Sequence, residues 1–187
     1  FFKNKPSFKS ITIVWFKKRN ATGDHWLVDS ERGGTLALRS NDSAANYSQT
    51  GAYSFIQSFD DDGFTMGDQG DINNSSDFAS WSFRKQKGFF DIVKWTGTGA
   101  NLTVSHNLGC VPGMILIKNT GGAHQWSVYH VGTDSSNPET KFLALNDTDA
   151  ATNANLSMFQ RTAPTATNFY VGSNADCNEN GETMIAY

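Results

Sequence analysis

The sequence predicts an all-β fold: two tandem antiparallel β-sandwich units, of the jelly-roll or concanavalin-like type, related by internal duplication. Two observations predict strands. Short apolar runs are separated by Gly, Asn and Asp turn signals at regular spacing, and no segment has the three-and-four apolar spacing of a long helix. A third observation predicts the duplication, because the order of motifs in the first half returns in the second.

The first half is a series of short strands joined by polar turns. The strongest strand signal is ITIVWF at residues 11–16, which is rich in β-branched and aromatic side chains. Further strands are expected, in order, at residues 25–29, 35–38, 54–59, 64–67 and 78–83. This spacing of short strands and turns is typical of an antiparallel sandwich.

The middle stretch, residues 89–118, opens the second half and reads FFDIVKWTGTGANLTVSHNLGCVPGMILIK. Strand patterns at residues 92–96 and 102–104 are each followed by a break that contains glycine. The apolar run MILI at residues 114–117 is too short for a helix and is followed by Lys118. We therefore predict strand, turn, strand, turn and buried strand.

The second half repeats the motifs of the first at an offset of about 100 residues, a size that suits one sandwich unit each. The matching segments are residues 14–17 and 115–118, 25–29 and 125–129, 35–39 and 141–146, 63–67 and 168–172, and 78–81 and 184–187. This predicts a first unit over residues 1–88 and a second over residues 89–187, with a lead-in at 89–109. The first unit has no counterpart of that lead-in, so we expect the chain to be part of a longer protein built of such units.

Composition restricts the classes of partner. Charged residues make up 18% of the 187 residues and aromatic residues 13%, so a polar surface must come from uncharged side chains while the core is rich in rings. A net charge of −3 and a pI near 5.7 argue against nucleic acid as a partner. No apolar run approaches the roughly 20 residues that span a bilayer, so a membrane is not expected either.

Tryptophans at the same place in the two units have two interpretations. Trp26 shares a strand face with Val28, and the same spacing in the second unit indicates a core position in both. A platform for stacking on sugars is the alternative. The repeat-equivalent core residues are therefore Trp26, Val28, Trp126 and Val128. The candidates for contact with a surface glycan are Trp95, Tyr129 and Tyr170.

No residue pattern predicts catalysis, a metal site or a cofactor. The glutamates are scattered, and no nucleophile motif, phosphate loop or zinc spacing is present. The acidic run DDDG at residues 60–63 resembles the start of a calcium loop, but without the later glutamate ligand it is expected to be a solvated turn. Cys110 and Cys177 form no metal pattern, and both a disulfide and two free thiols stay open.

A set of motifs in the chain resembles a known family. The motifs are FDIVKWTGTG at 90–99, HNLG at 106–109, PGMI at 112–115 with Lys118, ASW at 79–81 and IAY at 185–187. They are similar to a repeated β-rich domain of unassigned function in tail-fibre and other virion proteins of marine bacteriophages, cyanophages especially. The resemblance covers nearly the whole chain. It implies a virion surface protein that is oligomeric and contacts other virion proteins, but it carries no catalytic residues across and does not imply a host receptor.

Three functional hypotheses follow from these observations. The first is a structural or adhesive component of the virion exterior (a fibre, spike or capsid decoration), with no enzymatic activity. The alternative is a carbohydrate-binding module for a host cell-surface glycan, and the third hypothesis is a glycan-degrading enzyme. Location on the particle, a glycan array and a reducing-sugar assay distinguish the three.

Overall fold

The computed structural model describes residues 10–154 and 156–187; residues 1–9, which begin the predicted first unit, and residue 155 lie outside the described residues. Nearly all of the regular structure is β-strand, so the fold is all-β. The α-helices of the described chain are short, namely α1 (Leu156–Phe159) and α2 (Ala175–Asn178). No helix in this part of the chain combines the length and the apolar character needed to cross a membrane.

The described residues form two compact units. The first comprises residues 10–38 and 47–85, and the second comprises Arg39–Asn46 and Gln86–Tyr187. The loop Arg39–Asn46, which the sequence places in the first unit, therefore belongs to the second.

The first unit contains a five-stranded antiparallel sheet and a separate two-stranded ladder. Its strands are β1 (Ile13–Lys18), β2 (His25–Asp29), β3 (Leu36–Arg39), β4 (Tyr47–Ser48), β5 (Ile56–Phe59), β6 (Phe64–Met66) and β7 (Phe78–Phe83). The order in the larger sheet is β4-β3-β2-β1-β7, while β5 pairs with β6. The acidic run at residues 60–63 forms the turn between β5 and β6, where Asp60 N–H donates to the Gly63 carbonyl at 2.9 Å.

One face of the five-stranded sheet carries the core of the first unit. In the β1–β2 ladder Phe16 lies opposite Trp26 and Val14 opposite Val28, so these side chains share that face. The Trp26 and Phe55 ring centroids are 5.2 Å apart. The buried cluster consists of Ile11, Val14, Phe16, Trp26, Val28, Ala37, Phe55, Ile56 and Ile72. Burial of these apolar groups supplies the stabilisation that isolated short strands lack.

The second unit contains a six-stranded antiparallel sheet and another two-stranded ladder. Its strands are β8 (Val93–Thr96), β9 (Leu102–Ser105), β10 (Met114–Asn119), β11 (Ser127–His130), β12 (Lys141–Ala144), β13 (Thr152–Asn153), β14 (Asn168–Val171) and β15 (Thr183–Ala186). The order in the larger sheet is β13-β12-β11-β10-β15-β8, while β14 pairs with β9.

The core of the second unit also lies on one face of its larger sheet. In the β10–β11 ladder Ile115 lies opposite Tyr129 and Ile117 opposite Ser127. The buried cluster consists of Val104, Ile115, Ile117, Tyr129, Ala154, Met158, Phe159, Phe169, Val171, Cys177, Met184 and Ala186. The two-stranded ladder and both short helices contribute to this cluster, so they cover the core face of the sheet.

The turn after β8 packs closely against the segment that follows α2. Gly97 N–H donates to the Glu182 carbonyl at 2.8 Å, and the Gly97 carbonyl accepts from Gly181 N–H at 2.9 Å. A Cβ atom at Gly97 would lie 2.0 Å from the Glu179 carbonyl oxygen, so only glycine fits here. This contact holds β8 against the end of the sheet.

Candidate functional site

A shallow apolar depression in the second unit brings two of the predicted contact residues, Tyr129 and Tyr170, into one lining. It is small, with room for little more than one water molecule. The remaining lining residues are Ile115, Ile117, Phe159, Thr162, Pro164 and Phe169. Because the lining has no carboxylate, imidazole or amine, the depression can contact an apolar edge or ring but offers no acid–base pair for catalysis.

The two tyrosines differ in exposure. Tyr129 is only 4% exposed, and its ring packs edge-on against Phe159 with 6.2 Å between centroids. It therefore does not present a ring face at the surface, contrary to the expectation from the sequence, because its position on β11 faces the core. Burial raises the pKa of its hydroxyl, and the carboxylate of Glu139 acts in the same direction. Tyr170 is half-buried and retains some exposed surface.

Trp95, the third predicted contact residue, is half-buried on β8 and packs against the core of the second unit. Its ring meets Phe169 edge-on with 5.6 Å between centroids, and its Nε1 donates to Oδ1 of Asn178 at 3.4 Å. Asn178 is fully buried and also accepts from Thr98 N–H at 3.1 Å. The structure thus uses Trp95 for packing and does not join the three aromatics into one open platform.

The four residues expected to be equivalent in the two cores are all buried: Trp26, Val28, Trp126 and Val128. Their strand faces differ, however. Trp26 lies in the core cluster of the first unit, but Ser127, and not Trp126, occupies the corresponding ladder position opposite Ile117. Trp126 and Val128 lie on the face of β11 opposite to that of Ser127 and Tyr129, so they are buried outside the second core cluster, because neighbouring residues of a strand face opposite sides.

Trp126 makes contacts of its own on that opposite face. Its Nε1 donates to the Arg39 carbonyl at 2.9 Å, and its ring stacks on Tyr187 with 6.1 Å between centroids. A buried indole needs such an acceptor for its N–H. The residue is therefore a packing residue of the second unit and not a ligand platform.

An aromatic pair with one exposed ring lies on the first unit, at residues that the sequence did not indicate as contact residues. Trp81 on β7 is 51% exposed and meets Trp15 on β1 edge-on with 6.3 Å between centroids. The two residues are direct cross-strand partners. The serines on either side of Trp81 gave no signal for this exposure, because it follows from the position of β7 at the end of the sheet.

Lys118 is the most deeply buried charged group of the second unit, with no exposed surface. Its Nζ donates to the carbonyl oxygens of Asn119 and His124 at 2.8 Å each and to that of Ser43 at 3.0 Å, with the Gly122 carbonyl at 3.4 Å. Burial lowers the pKa of Lys118 to about 8, while Asp176 and Asp42 act in the opposite direction. The amine ties the turn after β10 to the loop Arg39–Asn46.

A polar cluster beside Lys118 ties the same turn to α2. His124 faces Asp176 through Nδ1 at 3.2 Å and Glu179 through Nε2 at 3.0 Å. Asn119 Nδ2 donates to Glu179 at 2.7 Å and to the Ala175 carbonyl at 3.1 Å. Every polar group in this cluster has a partner within the turn or α2, so the arrangement is structural.

The profile of a domain of unknown function, DUF7483, matches residues 7–187. The chain belongs to this family. Comparison with curated proteins and with solved structures finds no match. The description of the family names no activity, so the DUF7483 domain has to be interpreted from its own residues.

In this DUF7483 member, no group of three or more His, Cys, Asp or Glu side chains in residues 10–154 and 156–187 could hold a metal ion. The Asp60 carboxylate accepts from the hydroxyls of Ser58 and Thr65, at 3.2 and 3.3 Å.

Cys110 and Cys177 are both free thiols. Cys177 is fully buried, and burial raises the pKa of its thiol to about 12.

Proposed function

We propose that the chain is a structural or adhesive component of a bacteriophage virion exterior, built from two copies of one sandwich-type unit. The observation that carries the proposal is the agreement in strand order and register between the two units. A repeated structural unit extends an assembly without new chemistry, as in solenoids and other repeat proteins. The motifs that resemble virion proteins of marine bacteriophages supply the context.

Strand order supports the duplication. The orders β4-β3-β2-β1-β7 and β13-β12-β11-β10-β15 agree strand by strand. The two-stranded ladders are connected differently, since β5 and β6 are consecutive whereas β9 precedes β10 and β14 follows β13. Many strand orders are possible for an antiparallel sheet of short strands. Two unrelated chain connections would therefore rarely give the same order. The six-stranded sheet has β8 in addition.

Ladder register supports the duplication as well. Phe16 lies opposite Trp26 on one side and Ser80 on the other. Ile117 lies opposite Ser127 and Ala186 in the same way. This agreement in pairing supports a residue-by-residue correspondence of the two central strands, with Ser127, and not Trp126, at the position of Trp26.

The surface composition fits an exposed virion part. Only 18% of the residues are charged, and the net charge is −3. Asn, Ser and Thr provide most of the polarity, which gives a surface with a low density of charged side chains. We infer other virion proteins and further copies of the chain as partners, and the virion surface as the location.

Gold labelling in the electron microscope tests this proposal. Antibodies raised against the chain should decorate the outside of intact particles that carry the parent protein, on a fibre, a spike or the capsid surface. Antibody preabsorbed with the purified chain is the control. Label confined to disrupted particles or to the particle-free fraction would contradict the proposal.

A carbohydrate-binding module is the second candidate, and the exposed ring of Trp81, which packs on the half-buried Trp15, favours it. Indole rings on a surface stack on the apolar faces of sugars. On a glycan array, Trp81→Ala should then lose the signal, while Tyr53→Ala, which removes a 64% exposed ring elsewhere on the same unit, should keep it. Absence of any signal for the unaltered chain would eliminate this candidate.

A further inference from the structure

The outer edge of β7 in the first unit presents backbone groups that no described strand pairs. Arg19 N–H donates to the Asp77 carbonyl at 2.8 Å, which places the odd-numbered residues of this segment in hydrogen bonds with β1. The N–H and C=O groups of Phe78, Ser80 and Ser82 therefore point away from β1. β7 is the last strand in the sheet order, so within residues 10–154 and 156–187 these groups have no ladder partner.

The side chains of β7 do not protect this edge. The strand reads FASWSF and contains no charge, proline or glycine. Ser80 and Ser82 are exposed, and Trp81 is 51% exposed. Edge strands are usually shielded by charges, prolines, bulges or shortness, and a six-residue uncharged strand is a template for a further strand.

The second unit shows which kind of strand covers the corresponding edge. β15 occupies the place of β7, because Ala186 lies opposite Ile117 as Ser80 lies opposite Phe16. On the outer side of β15 lies β8, antiparallel, with Val93 opposite Ala186.

Burial at the two edges differs accordingly. Met184 and Ala186 of β15 are 0% and 3% exposed beneath β8 and its flanking turn. Phe78 and Ser80 hold the same ladder positions on β7, and the first is half-buried while the second is exposed. Phe64, whose ring meets that of Phe16 opposite Ser80, is also only partly buried, as is Met66. A strand on the outer edge of β7 would cover these groups as β8 does in the second unit.

We propose that the outer edge of β7 accepts a strand of the β8 type, an extended antiparallel segment with the Val-Lys-Trp-Thr pattern, supplied by another segment of polypeptide. The incoming valine would lie opposite Ser80 and the tryptophan opposite Phe78, where its ring covers Phe78 and Phe64 as Trp95 covers Phe169. Main-chain hydrogen bonds provide the affinity and the tryptophan provides the selectivity, as in β-augmentation. The proposal rests on the correspondence of the two units and is independent of where the protein resides.

A synthetic peptide with the sequence of residues 89–105 tests the proposal against the isotope-labelled full chain. We expect saturable shift changes and slower amide exchange at Phe78, Ser80 and Ser82. Gly97 N–H bonds to the Glu182 carbonyl, so the N–H groups of Val93 and Trp95 face β15 and that of Lys94 faces away. N-methylation of the peptide at Val93 or Trp95 should weaken binding by about tenfold or more, and N-methylation at Lys94 should leave it nearly unchanged.

A variant of the chain gives the reciprocal test. Ser80→Pro removes an outward N–H without touching the β1 ladder and should abolish binding, while Ser80→Ala keeps the donor and should bind normally. The N-methylated peptides decide the question if Ser80→Pro fails to fold. No binding of the unmodified peptide, or binding that is indifferent to the methylated position, overturns the proposal. If the unaltered chain forms a dimer that Ser80→Pro abolishes, β7 pairs with β7 of a second copy. That result would overturn the assigned partner. None of these results changes the outcome of gold labelling on particles, so the strand-binding proposal and the virion proposal are tested independently.

Discussion

Lys118 illustrates how a single side chain organises its surroundings in the second unit. Its ammonium is buried against backbone carbonyls from its own turn and from Ser43. At the sequence level this lysine follows an apolar run and looks like the solvent-exposed end of a strand. Its burial could not be predicted, because the acceptor at Ser43 lies far away in the sequence.

The first prediction concerns the stability contribution of Lys118. Lys118→Met should lower the free energy of unfolding by about 3 kcal/mol at neutral pH, because it leaves buried carbonyls without a donor. Urea unfolding followed by tryptophan fluorescence measures the change. Lys94→Met, at an exposed position on β8, is the control and should change stability by less than about 0.5 kcal/mol.

The effect of Lys118 should also depend on pH. Its pKa is about 8 in the folded chain and about 10.5 ordinarily, so between these values the unfolded state binds more protons. The contribution of Lys118 to the free energy of unfolding therefore rises with pH in that window. The stability gap between the unaltered chain and Lys118→Met should widen by about 2 kcal/mol between neutral pH and about pH 9.5. A gap that stays constant would show that the amine keeps its proton in the folded chain across this window and that its pKa is not lowered.

The second prediction concerns the thiols. Cys177 lies in the second core, and its raised pKa leaves very little thiolate at mildly alkaline pH, whereas Cys110 is partly exposed. A colorimetric disulfide reagent should therefore label one thiol rapidly and the other only after denaturation. Cys110→Ser should remove the rapid phase and Cys177→Ser should keep it. Two rapid thiols, or none, would contradict the assignment.

At the scale of the strand, position could be predicted from sequence but register could not. The apolar runs at residues 11–16 and 114–117 correctly indicated the central strands, because β-branched and aromatic side chains dominate them. The tryptophans of the following strands suggested a register that the ladders do not have. Both faces of β11 are buried, so alternation of apolar and polar residues carried no information about which face meets the core.

Ser127 offers a test of the register. It faces Ile117 in the second core, and its hydroxyl is buried without a hydrogen-bond partner among the described residues. Ser127→Ala should therefore raise the free energy of unfolding by about 1 kcal/mol, since it removes an unsatisfied polar atom. Ser157→Ala, at a partly buried serine outside the strands, is a comparison that should not stabilise. A destabilised Ser127→Ala would mean that the hydroxyl has a partner.

The turn after β8 provides the fourth prediction. Gly97→Ala places a methyl group against the Glu179 carbonyl, so it should cost about 3 kcal/mol of the free energy of unfolding. Gly63→Ala, in the β5–β6 turn, meets nothing within 4 Å and should be nearly neutral. Thermal unfolding of the two variants measures the difference. Equal effects would show that the turn adjusts to the methyl group.

For the whole molecule, the sequence predicted the all-β class and most strands, since local propensity and turn signals decide both. It did not predict the short helices α1 and α2, because four residues contain too little periodicity to detect. The exposed ring of Trp81 was missed for a different reason: the exposure of a ring depends on which strand forms the sheet edge, and that follows from topology.

Net charge leads to the fifth prediction. With −3 overall and no extended basic run, the chain should not retain labelled duplex DNA at about 150 mM salt. Fluorescence anisotropy measures this, and a lysozyme-sized basic protein serves as the positive control. Salt-dependent binding by the chain would contradict the predicted class of partner.

The assignment of Arg39–Asn46 to the second unit has a practical consequence for dissecting the molecule. A fragment cut at the boundary suggested by the repeat would begin near residue 89 and would lack the carbonyls of Arg39 and Ser43 that the Trp126 indole and the Lys118 amine require. Recombinant versions of this half should carry the octapeptide 39–46 on a linker. A truncation designed from the repeat alone would leave both donors without their native acceptors.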